Sequence, residues 1–181
     1  MIMRLFVAVE FDSGVKASIS ALQGQLRLLG VTGSFSGEEN FHLTLKFLGE
    51  TEQKLTGDIK AALDCAALAI NPFEISAGHC GSFSARGEKT IWLGMDSPFL
   101  VKIAGEVDRQ TAKLGFEREN RAFTPHVTLA RRALCSADAL AQLNVPEIKF
   151  KVTCITLFES RRDAGKLSYK PIYRAILKEC N

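Results

Sequence analysis

The sequence predicts an α+β fold duplicated into two halves, and three observations carry that expectation. Hairpin-like strand pairs are mixed with single helices, which favours antiparallel sheets covered on one face over a doubly wound parallel sheet. The segment His42-Leu43-Thr44-Leu45 recurs as His126-Val127-Thr128-Leu129, each copy on a predicted strand that follows a helix and a loop. The chain has 181 residues, 46% of them hydrophobic, enough for one sizeable core in two halves but short for two independent domains. Residues 1–181 are therefore read as a single two-lobed domain.

The elements follow in order. Residues 3–10 read as a buried strand. Asp12 or Ser13 caps an amphipathic helix running to about Leu29, where Gly30 and Gly33 stop it. Residues 42–48 alternate as a strand closed by Gly49, and a second helix over 52–69 ends before Pro72. Residues 73–77 and 90–94 read as the strands of a long hairpin, joined by a Gly- and Ser-containing connection that includes His79 and Cys80. Pro98 opens a third helix reaching about Leu114, with Gly115 as its stop. A strand over 126–130, a short helix over 137–143, an extended run over 149–159 and a last strand over 169–177 complete the chain.

Composition narrows the function. A net charge of +3 falls well short of what a protein holding long nucleic acid by its backbone carries, yet it suits a small anionic ligand. The last third of the chain gathers Arg118, Arg121, Arg131, Arg132, Arg161 and Arg162, as a solvated basic face does and an anion site also would. Cysteines 65, 80, 135, 154 and 180 form no close pair of the zinc or redox type, so reduced thiols are expected. The first residues lack the pattern of a secretory signal, and apolar runs such as 66–70 are too short to cross a bilayer. A cytoplasmic monomer without a membrane partner is expected.

On a strand, side chains alternate, so His42 and Thr44 share one face while Leu43 and Leu45 share the other, and the same holds for His126 and Thr128. One His-x-Thr alone is an ordinary polar strand face. Two copies use two of the three histidines in the chain, which a chance polar face does not explain. The third, His79, has no matching threonine and reads as a loop residue.

If both faces meet in one cleft, they supply the parts needed to open a cyclic phosphodiester. One imidazole takes a proton from water and the other protonates the leaving oxygen, while two hydroxyls and an arginine hold the phosphoryl oxygens. Imidazole suits both roles because its ordinary pKa, about 6.5, lets one ring be neutral and the other charged near neutral pH. No His-rich or carboxylate cluster stands at metal-ligand spacing and no P-loop is present, so neither metal nor cofactor is expected.

The runs Glu39-Asn40-Phe41-His42-Leu43-Thr44-Leu45-Lys46-Phe47-Leu48-Gly49 and Pro125-His126-Val127-Thr128-Leu129-Ala130-Arg131 resemble the paired motifs of the 2H phosphoesterase superfamily. The resemblance is specifically to the RNA 2′,3′-cyclic phosphodiesterases once called 2′-5′ RNA ligases. It extends to Arg4-Leu5-Phe6-Val7-Ala8, Ile91-Trp92-Leu93-Gly94, Leu114-Gly115-Phe116 and Leu157-Phe158-Glu159-Ser160, and so covers nearly the whole chain. It implies two antiparallel sheets facing a central cleft, with helices on their outer faces.

The implied reaction opens a terminal 2′,3′-cyclic phosphate of RNA, or of a nucleoside, to a 2′-phosphate. His42 would be the proton donor and His126 the acceptor, with Thr44, Thr128 and Arg131 on the phosphate. Simple alternation from His126 puts Arg131 on the wrong face, so that role needs a bend in the strand. Lys46 has the parity to join His42 but reads as a solvated lysine, and Phe6 as a core residue. Phe41 and Ala122, where aliphatic and proline residues are usual, touch no implied role. The same parts would serve 2′-5′ ligation, the reverse reaction, or a module that binds RNA ends without turnover.

Overall fold

Strand β1 (Ile2–Glu10) leads into helix α1 (Ser13–Leu28), whose N-cap Asp12 accepts a bond of 2.8 Å from the Val15 amide. The short β2 (Thr32–Phe35) was not foreseen, because Gly33 sits inside it. Then come β3 (His42–Glu52), α2 (Thr56–Ala67), β4 (Phe73–Ala85) and β5 (Glu88–Asp96). Helix α3 (Pro98–Ala112), β6 (His126–Leu134), β7 (Lys149–Val152), β8 (Cys154–Asp163) and β9 (Lys166–Ile176) complete the order. The computed structural model describes residues 1–85, 88–136, 138–163 and 165–178.

The strands form a four-stranded sheet ordered β3-β1-β8-β9 and a five-stranded sheet ordered β2-β6-β5-β4-β7, with every pairing antiparallel. The α+β expectation holds. One face of each sheet packs with the helices into a shared core, which gathers Leu5, Val7, Leu43 and Leu157 of one sheet, Val127 and Leu129 of the other, Ile59 and Leu63 of α2 and Leu22 and Leu26 of α1. The helices lie on the outer faces. Gln23 of α1 reaches through this layer and donates to the Leu129 and Ser36 carbonyls at 2.8 and 2.9 Å.

Several boundaries differ from expectation. The connection holding His79 and Cys80 is part of β4, which bulges at Gly78 and His79 where Ala77 pairs with Met95 and Cys80 with Leu93. The extended run over 149–159 is two strands in different sheets, β7 beside β4 and β8 beside β1. Of the helix expected over 137–143, Ala137 lies outside the described residues, and 138–142 form only turns with bonds three residues apart. The run is too short to repay helix nucleation before Pro146. Cys180 also lies outside the described residues.

Candidate active site

The site starts from one irregularity that occurs twice. In β3, Thr44 pairs with Ala8 and Lys46 with Val7, so Leu45 is an extra residue. In β6, Thr128 pairs with Trp92 and Ala130 with Ile91, so Leu129 is extra at the same place in the repeat. Each bulge reverses the alternation beyond it. His42 and Thr44 therefore share the cleft face with Phe47 and not with Lys46. In the second half, Arg131 is returned to the face of His126 and Thr128, which supplies the bend its role requires.

Each ring is held by the same device. His42 Nδ1 lies 2.7 Å from the Asn40 carbonyl and His126 Nδ1 lies 2.7 Å from the Thr124 carbonyl, in both cases two residues back. A carbonyl only accepts, so each Nδ1 carries a hydrogen and each Nε2 is left for chemistry. His42 Nε2 lies 3.0 Å from the Thr44 hydroxyl. Aromatic side chains seat both rings. Tyr169 meets His42 edge-on at 4.9 Å with Phe6 at 4.9 Å, and Phe83 meets His126 edge-on at 5.1 Å with Trp92 at 6.2 Å.

These surroundings govern protonation. Burial disfavours the charged ring and pushes His42 down to about 4, against the bond from its Nδ1 to Asn40, with charge on Arg131, His126 and Lys16 pushing the same way. Burial likewise lowers His126, and Arg131 adds to it against the Thr124 bond. Arg131 thus acts electrostatically on both rings. It also lines the central cleft beside His42, Thr128 and Tyr169.

Lys46 departs from the sequence reading. It is buried, and its ammonium donates to Asp108 Oδ1 and to the Glu117 carbonyl, both at 2.6 Å. Burial alone would raise the Asp108 carboxyl, but bonds from Lys46, the Glu119 amide and Arg118 hold it below the usual carboxylate range. Lys46 is a structural residue on the helix side, placed there by the bulge at Leu45. Phe6 is buried as expected, but in a separate cluster with Ala8 and Phe158 on the cleft face. Tyr169, Phe83 and Phe47 escaped the sequence reading. For Phe47 a signal was present, since it stands five residues after His42 as Arg131 stands five after His126.

Residues 18–164 match the 2′-5′ RNA ligase superfamily. The chain belongs to that superfamily. Among curated members it is similar to the RNA 2′,3′-cyclic phosphodiesterase of Methanocaldococcus jannaschii, 35% identical over 71% of either chain. Its likeness to the enzyme of the same name from Thermotoga maritima is 30% over 94% of either chain. Among solved structures, Escherichia coli LigT in apo form superposes with a TM-score of 0.73 at 26% identity, covering 98% of this chain and 99% of that one. TT0787 of Thermus thermophilus shares the fold at a TM-score of 0.79 and 23% identity, over 97% of this chain and 98% of that one. Among the described residues no helix is long and apolar enough to cross a membrane.

Proposed function

We propose that this superfamily member hydrolyses the terminal 2′,3′-cyclic phosphate of RNA to a 2′-phosphate, with His42 and His126 as acid and base. Relatives that match most of the chain are named RNA 2′,3′-cyclic phosphodiesterases. The observation that carries the residue assignment is the doubled anchoring of the rings, each Nδ1 on the carbonyl two residues back and Arg131 acting on both.

In this reading His126 Nε2 takes a proton from water as its oxygen bonds to phosphorus. His42 Nε2 gives a proton to the departing 3′ oxygen as the P–O3′ bond breaks. The Thr44 hydroxyl turns from the His42 ring to a phosphoryl oxygen, joined there by Thr128 and Arg131. Burial favours the neutral His42 ring, so in this reading the bound phosphate anion has to favour its charged form before it can donate. Burial also favours the neutral form of His126, which is the form that accepts a proton. The chain's own groups complete the proton inventory, so activity in chelator should equal that without it. The assigned residues all come from one chain, so the reading requires no partner copy.

The test is His42→Ala and His126→Ala against a nucleoside 2′,3′-cyclic phosphate. Each should lower kcat by about 10²- to 10⁴-fold while circular dichroism and Tm show a folded protein. Folded variants with near-normal turnover would remove the assignment. Ligation is tested in the same series with paired RNA halves, and binding without turnover by retention of an unchanged cyclic end.

A further inference from the structure

The cleft around His42 has two arms that share His42, Arg131, Leu167 and Tyr169. One arm, of about 470 Å³, runs past Phe6 and Phe47 to Arg4 and Arg162. The other, of about 450 Å³, runs past Thr128 and Asn40 to Glu39, which is paired with Lys166 at 2.8 Å. Beyond it lies Glu10, bound to Arg174 at 2.8 Å. A cyclic phosphate at the 3′ end of RNA has chain on one side only, so a site for RNA ends needs one exit. The charges of the two arms differ in the way such an asymmetry requires.

Alternation along β1 places Arg4 on the face of Phe6, and alternation along β8 places Arg162 on the face of Phe158. The antiparallel pairing carries both arginines toward the same end of the sheet, away from His42, which lies opposite Glu10. Neither arginine side chain has an ion pair or hydrogen bond among the described residues, even though Glu50 stands opposite Arg4 in register. Arg161, by contrast, is held by Glu159 at 2.7 Å. Between the arginines and His42 lies Phe47, a phenylalanine 67% exposed whose ring is 6.0 Å from that of Phe6. Exposed aromatic area flanked by unpaired guanidinium groups matches a nucleobase and the phosphates that follow it.

Resting on the function proposed above, we infer that the Arg4–Phe47–Arg162 arm is a track for the RNA chain on the 5′ side of the reacting phosphate. The protein is then selective for oligonucleotide ends over free nucleoside 2′,3′-cyclic phosphates. The experiment compares a tetranucleotide ending in a 2′,3′-cyclic phosphate with a nucleoside 2′,3′-cyclic phosphate, using the unaltered protein and the Arg4→Gln/Arg162→Gln double variant. The unaltered protein should show a kcat/KM about tenfold or more higher for the tetranucleotide, carried by KM. The double variant should lose that preference while its kcat/KM on the nucleoside substrate stays the same. Its dependence of log KM on log salt should flatten by about 1.4 for two lost contacts to a single strand.

Equal kcat/KM for the two substrates in the unaltered protein, or a preference that survives the double substitution, would overturn the inference. Fluorescence anisotropy with a tetranucleotide ending in a 3′-phosphate separates it from the catalytic reading. Binding that needs Arg4 and Arg162 in a protein that cleaves neither substrate would retire the catalysis and keep the track.

Discussion

Burial and the Arg131 charge push both imidazoles below their ordinary pKa, and that moves the acid–base pair toward acid pH. On the proposed assignment, the productive free protein has one ring protonated and the other neutral, and its population peaks between the two pKa values. His42 is pushed from 6.5 to about 4 and His126 is also pushed below 6.5, so that peak lies on the acid side of 6.5. The profile of kcat/KM should therefore be a bell centred below pH 6.5, falling through neutrality as the last ring proton is lost. A phosphate anion held between the rings as proposed would favour their charged forms, so the bell for kcat should be displaced to higher pH. Steady-state kinetics from pH 4 to 9 read both. A kcat/KM that climbs through pH 7 to a plateau at pH 8 would mean that no protonated imidazole is needed.

At the scale of the element, the bulges at Leu45 and Leu129 decide which side chains reach the cleft and which reach the core. Lys46 was turned inward, and its ion pair with Asp108 joins β3 to α3 and to the loop before β6. Replacing Asp108 by Ala leaves the Lys46 ammonium buried without its counter-charge and should cost about 3–5 kcal/mol. Lys46→Met should cost less, because Asp108 keeps Arg118 and the Glu119 amide. Urea unfolding of the two variants measures the order, and equal small losses would show that the pair holds nothing together. The His-x-Thr faces were legible because alternation is a local rule that both motifs obey up to the bulge. The fate of Lys46 was not legible, since a bulge is set by the partner strand. His79 was misread for a related reason, because glycine and serine signal turns while here they let β4 bend beneath Trp92. A Cβ at Gly81 would drive into that indole.

Over the whole molecule, the chain alternates between the two sheets, and that routing argues for one cooperative unit. The C-terminal β8 and β9 finish the sheet that holds His42, whereas β2, from the N-terminal half, forms the edge of the sheet that holds His126. The duplication was legible in the motif, but this exchange of strands was not, because the break between β7 and β8 falls at Thr153 inside a continuous β-favouring run. Neither half can bury its sheet without the other, and residues of both sheets and all three helices described meet in one apolar cluster. Unfolding should accordingly be two-state although the strands form two separate sheets. Trp92 is the one tryptophan and sits in the five-stranded sheet, so its fluorescence follows that lobe, while far-UV circular dichroism follows both. The two signals should give the same urea midpoint and slope. A fluorescence transition that runs ahead of the dichroism would mean that the lobes come apart as separate domains, and the placement of His42 against His126 would then depend on a hinge.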